Sequence, residues 1–158
     1  MRTGVARRRG VPDVGAWVAS VFARPMAAMI DTTPERLRRE VADPPATAHG
    51  YAVSAVTRCF GWLFAAVVVF AVGVVAMIVE NVVHGPPARV TGPLFLPPLL
   101  VCLVTAVLSA GRAGVAWYVS EERWERAGRL LRWVVVPGNR DLVIAVVLVG
   151  LGEVVAHT

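Results

Sequence analysis

Between Arg58 and Glu80 the chain runs for twenty-one residues, Cys59 to Val79, without a charge. As an α-helix rising about 1.5 Å per residue, that run would reach roughly 31 Å, close to the ~30 Å hydrocarbon core of a bilayer. Helices buried in water-soluble proteins usually keep one face wet, and a wet face carries charge. The run therefore directs the chain to one class, an all-α integral membrane protein. A second apolar run starts near Leu94 and continues past Arg112 to Trp117 and Tyr118. Glycine and proline between the two, Gly85-Pro86-Pro87 and Gly92-Pro93, are turn signals, so an antiparallel transmembrane hairpin is expected over 57–120. Apolar residues make up 56% of the chain. Soluble domains run at about 45–50%, so little is left over for a separate soluble domain.

The flanking segments divide by pattern. Residues 1–31 read as a basic arm, with Arg7, Arg8 and Arg9, followed by the stripe Val14, Trp17, Val18, Val21 and Phe22. That spacing fits an amphipathic helix lying on an anionic membrane surface, and Arg7, Arg8, Arg9, Trp17 and Phe22 are its candidate contacts. A signal peptide fits less well, because Asp13 interrupts the apolar part and the small-residue cleavage pattern is poor. Residues 32–56 hold a short polar helix and a proline-containing linker. Thr33 suits the N-cap, Pro34 the first helical position and Glu35 the first turn. Glu35 with Arg39, and Arg36 with Glu40, are spaced as i, i+4 ion pairs, while Leu37 and Val41 share a face.

Residues 121–140 form a charged amphipathic segment in which Trp124, Ala127 and Leu131 line one side, making Trp124 a further membrane-surface candidate. Residues 141–158 are the least certain in kind. Their uncharged core, Leu142 to Gly152, has eleven residues, which fits a short third transmembrane helix or, alternatively, a re-entrant or interfacial one.

All sixteen basic residues are Arg, and the net charge is +5. Their positions explain them better than a nucleic-acid surface would. Arginines precede the first span and follow the second, while the 80–93 connection holds only Arg89. By the positive-inside rule the N-terminus and the 120–141 segment face the cytoplasm, in the cytoplasmic membrane, with the first connection outside. No basic stripe interleaved with stacking aromatics is present, so no specific nucleic-acid partner is expected.

Arg112 is a charge inside the second predicted span. A charge at the centre of a membrane helix costs about 2.5–3.5 kcal/mol on insertion scales. Two readings meet that cost: its side chain snorkels to the phosphates, or it pairs with Glu153, the acid of the third segment. Ala106, Ala110 and Gly114 recur every four residues, a stripe of small residues that would let another helix approach; a chain rich in Ala and Gly also makes such stripes by chance. Gly61 with Ala65 offers a weaker version. Cys59 and Cys102 have no metal spacing, and the expected topology puts them tens of ångströms apart, too far for a disulfide.

His49, His84 and His157 are isolated, no serine sits in a nucleophile elbow, and no glycine-rich phosphate loop follows a strand. No catalytic, metal or cofactor residue is therefore named, and no enzyme is expected. The reading is a small polytopic membrane protein acting as an accessory subunit, scaffold or oligomeric assembly partner, in a homo-oligomer or a larger complex. The same build also suits a membrane-perturbing or transfer protein, such as a holin-like pore or a membrane component of plasmid spread between cells.

Overall fold

The structure, a computed structural model, describes residues 13–85 and 90–156. The candidate surface residues Arg7, Arg8 and Arg9 lie outside them. The described residues form helices and no strand: α1 (Val14–Val21), α2 (Ala23–Met29), α3 (Pro34–Ala42), α4 (Ala48–His84), α5 (Thr91–Tyr118), α6 (Glu121–Glu125), α7 (Arg129–Val135) and α8 (Arg140–Ala156). Two of them, α4 and α5, are long and apolar enough to cross a membrane. A third candidate exists only if α7 and α8, which meet at a 74° bend, are taken together.

α4 is much longer than the apolar run that announces it. Its 37 residues extend a further eleven positions before Cys59. Thr47 starts it by accepting a hydrogen bond from the Gly50 amide at 3.0 Å. α5 lies against α4 with its contacts in reverse order. Gly73 faces Phe95; Trp62 and Ala66 share a cluster with Cys102 and Ala106; Ala48 and Ala52 share another with Ala116. Pro97 and Pro98 fall inside α5, in its second turn, past the four opening amides that lack a helical partner, so they leave the carbonyls four residues earlier without their helical donors.

A carboxylate near the end of each long helix meets the start of the other. Glu80, near the end of α4, accepts from the Val90 amide at 3.0 Å and the Thr91 amide at 2.9 Å, and also from the Thr91 hydroxyl. Glu121, just past the end of α5, accepts from the Ala48 and His49 amides, each at 3.4 Å. The first amides of a helix have no partner within it, and the helix dipole favours negative charge there. α5 has no side-chain cap of its own at Val90. The cap comes from the neighbouring helix, which the local sequence does not reveal.

α1, α2, α3 and α7 pack on the first half of α4, while α8 packs on α5. α3 forms as its caps predict: Thr33 accepts from the Arg36 amide, Arg36 pairs with Glu40 at 2.9 Å, and Leu37 and Val41 are buried. Their cluster also takes Ala19, Ala23, Met26 and Ala27 from α1 and α2. Residues 14–21 are helical as α1, but the expected stripe does not share one face. Gly15, Val18 and Ala19 are buried against the protein, while Trp17 and Val21 point out. α1 sits close to α4 because Gly61 lacks a side chain: a Cβ there would stand 2.8 Å from the Ala19 Cα. The expected single amphipathic segment over 121–135 is broken into α6 and α7.

Candidate functional site

Two arginines, Arg58 on α4 and Arg112 on α5, are buried, and each meets an aspartate. Arg58 binds Asp13 through both terminal nitrogens, at 3.0 and 2.8 Å, and reaches the Val41 carbonyl at 3.5 Å. Asp13 in turn accepts from the Ala16 amide and so caps α1. The next amide, Val14, donates to the Asn139 side chain at 2.7 Å. The Arg58–Asp13 pair therefore joins the start of α1 and the end of α3 to α4, while Asn139 adds the turn before α8.

Arg112 meets Asp141 in a fork. Its Nε donates to the two carboxylate oxygens at 2.7 and 2.9 Å, and its Nη2 lies 2.6 Å from Oδ1. Its Nη1 donates to the Trp133 and Val134 carbonyls, and the guanidinium lies 5.7 Å from the Trp133 ring centroid. Arg140 lies over the same ring at 4.8 Å. Both Arg112 and Asp141 are buried, so truncating one partner would leave the other as an uncompensated charge, which costs about 3–5 kcal/mol.

The partner expected from the sequence, Glu153, is not the one that the fork engages. α8 starts beside Arg112, with Asp141 in its first turn. Glu153 lies twelve residues farther along α8, roughly 18 Å by helix rise. The snorkelling alternative is also corrected, because the guanidinium is tied to Asp141 and to two carbonyls inside the chain.

Arg58, Thr105, Ser109, Asn139 and Asp141 all line one small void of about 10 Å³, near the size that holds a single water. The Thr105 hydroxyl donates to the Val101 carbonyl at 2.7 Å. Each of the two buried arginines is matched by an aspartate, and Arg140 donates to the Val136 carbonyl at its edge, so this polar layer has the chemistry of a junction whose charges are answered from within the chain. It ties α1, α3, α4, α5, α7 and α8 together.

The other candidates disperse. Of the small-residue stripe, Ala106 is buried against α4, while Ala110 and Gly114 are exposed and a Cβ on Gly114 would meet nothing within 4 Å. The face of α5 that packs is Cys102, Thr105, Ala106, Ser109, Arg112, Ala113 and Ala116, rotated from the stripe. Trp17 is 65% exposed and free to meet a membrane surface. Phe22 instead stacks on Phe64 at 5.7 Å. Trp124 is a core residue, 8% exposed, whose indole donates to the Ala46 carbonyl at 2.9 Å and lies 5.4 Å from Tyr51. Cys59 and Cys102 are free, and Cys59 packs against the cluster that contains Cys102, much closer than the topology argument implied. Among the described residues no group of three or more His, Cys, Asp or Glu could hold a metal.

Sequence reasoning passed over Asp13, Arg58, Glu80, Glu121, Asn139 and Asp141. Asp141 left a signal: it is the acid immediately before the third apolar run, a place where a carboxylate suits a helix start. Glu80 and Glu121 left none beyond their places at the ends of the long helices. The chain matches no protein-family model, no curated protein and no solved structure at a significant level, so its function rests on this geometry.

Proposed function

We propose that the chain is a multi-pass protein of the cytoplasmic membrane that acts as a non-enzymatic scaffold or accessory subunit. One observation carries the reading: the apolar band is bounded at both ends by polar fixtures spaced as a bilayer requires. From Arg58 to Glu80 is twenty-two residues of α4, and from Thr91 to Arg112 is twenty-one of α5, roughly 33 and 31 Å of helix. Between them the outward side chains are apolar, among them Val67, Phe70, Val72, Val75, Ile78 and Val107. A water-soluble protein rarely exposes so continuous an apolar surface. In this reading α4 and α5 are the transmembrane hairpin, and Arg58 and Arg112 mark the inner boundary.

The start of α4 then lies in the cytoplasm under α3, while α1 packs on Gly61, Trp62 and Phe64 just inside the inner boundary, and Arg24, Arg36, Arg38, Arg39, Arg123, Arg126, Arg129 and Arg132 are exposed outside the apolar band. That distribution follows the positive-inside rule. α8 leaves the polar layer with Val143, Val146, Leu151 and Val154 exposed and enters the bilayer as a third, short span. The exposed apolar flanks of α5 and α8 are where a second copy or a larger membrane partner would pack.

Two measurements test this together. A tag at position 88 is expected outside and a tag at position 43 inside. Purification in mild detergent is expected to yield a particle heavier than one chain, as a homo-oligomer or with a defined membrane partner. A chain that stays dissolved without detergent, or a tag at 88 that faces the cytoplasm, overturns the proposal. Loss of membrane potential on overproduction would replace the scaffold role with a pore.

A further inference from the structure

Two cavities adjoin where α2, α3 and α4 meet. The first, about 180 Å³, is lined by Met26, Met29, Ile30, Leu37, Val56 and Phe60, almost wholly apolar. The second, about 400 Å³, shares Ile30, Leu37, Val56 and Thr57 with it and adds Asp31, Thr32, Arg36, Glu40 and Trp117. Their order along α4 is informative. The apolar cavity reaches Phe60, the second residue of the apolar band, whereas the polar one reaches back to Val53, seven residues or roughly 10 Å toward the start of α4. A greasy compartment on the membrane side of a charged one is the outline of an amphiphile.

The charges narrow its chemistry. Arg36 is paired with Glu40 through Nε alone, and its side chain is 72% exposed, so its terminal nitrogens are open to a ligand. With Asp31 the lining holds two carboxylates and one guanidinium, which suits a headgroup with both a phosphate and a cation rather than a purely anionic one.

Asp31 is also in an unusual place. α2 ends with the Thr32 amide donating to the Ala27 carbonyl at 3.0 Å, which puts Asp31 in the left-handed region at φ 49°. Glycine is the usual residue at that position of a helix end. Aspartate is among the few side chains that accept this region, and here it brings a carboxylate to the cavity wall.

We propose that this double cavity seats one phosphatidylethanolamine-type phospholipid of the inner leaflet. An acyl chain lies along Met26, Met29 and Phe60, the phosphate meets Arg36, and the primary ammonium donates to Asp31 and Glu40. The proposal rests on the membrane placement above, because that placement puts the two cavities at the inner headgroup level.

The test uses the full chain in mild detergent, mixed with equal amounts of dioleoyl phosphatidylethanolamine, phosphatidylcholine and phosphatidylglycerol, and read by native mass spectrometry. One phosphatidylethanolamine per chain is expected, favoured over phosphatidylcholine by about tenfold, the factor that one charge-assisted hydrogen bond confers; the quaternary ammonium of phosphatidylcholine has no N–H to donate.

Asp31→Gly suits the backbone and removes the carboxylate, so folding is retained while the preference falls toward parity. Arg36→Gln lowers retention of both lipids and leaves their ratio, since both carry the phosphate. Equal retention of the two lipids by the unaltered chain, a preference for phosphatidylglycerol, or selectivity that survives Asp31→Gly combined with Glu40→Gln overturns the lipid site while leaving the membrane placement intact. A chain that needs no detergent overturns both.

Discussion

α4 is one continuous helix with two different surroundings. From Ala48 to Arg58 most of its side chains are buried: Ala48, Ala52, Ser54, Ala55, Thr57 and Arg58 face α3, α5 or α7. From Cys59 to His84 only Gly61, Trp62, Ala66 and Gly73 are buried, and the valines between them point outward. The clad part contains serine, threonine and a buried arginine, while the bare part contains none of these. A stretch surrounded by its own protein can hold polar groups where partners are at hand, as the Val53 carbonyl is for Thr57 and Asp13 for the Arg58 terminal nitrogens. A stretch placed in lipid, as proposed for the bare part, could not, since lipid offers no hydrogen bonds.

The strongest way to break this contrast is at its border. Arg112→Met leaves Asp141 buried without its partner and is expected to cost about 3–5 kcal/mol, read as lost folded yield and a lowered unfolding temperature in mild detergent. Arg112→Met with Asp141→Leu should recover most of that loss, because an apolar pair of similar volume replaces the ions. Glu153→Gln should cost less than Asp141→Asn, and the opposite ranking would restore the pairing expected from the sequence.

Next comes a charge placed on each part of α4. Val72→Arg on the bare part should cost about 2.5–3.5 kcal/mol of insertion, seen as loss from the membrane fraction. His49→Arg on the exposed side of the clad part should stay within about 0.5 kcal/mol. Equal tolerance of the two would erase the distinction.

Two smaller effects sharpen it. Gly61→Leu forces α1 off α4 at about 1–3 kcal/mol, with faster tryptic cleavage at the exposed Arg24. Glu80→Ala removes the cap from the Val90 and Thr91 amides at about 1 kcal/mol, detectable as faster hydrogen exchange there. Glu121→Ala should cost less, since its hydrogen bonds are longer. The smallest change is favourable: Gly114→Ala meets no neighbour and should stabilise α5 by about 0.5–1 kcal/mol. If it instead dissociates an oligomer measured by mass, the small-residue stripe contacts a second copy.

Local signals were the readable part of the fold. α3 was legible to the residue, because Thr33, Pro34 and the Arg36–Glu40 pair act within one turn of each other. The bare parts of α4 and α5 were legible because lipid demands uncharged length. The stripe of α1 was only partly legible, since Val18 and Phe22 were read with Trp17 as facing a membrane surface but pack on Trp62 and Phe64 instead. Trp124 was assigned to the membrane surface for the same reason: an aromatic on a charged helix looks interfacial until Tyr51 and the Ala46 carbonyl are brought to it.

By itself the order of residues determined two apolar helices long enough to cross a membrane and the extent of α3, because hydropathy and capping act over neighbours in the chain. Tertiary structure alone decided that Asp141 rather than Glu153 answers Arg112, that Asp13 answers Arg58, that Glu80 caps α5 and that Glu121 caps α4. Those choices depend on where helix ends meet in space. A carboxylate interacts over a few ångströms, and no spacing along the chain encodes which distant charge will lie within that reach.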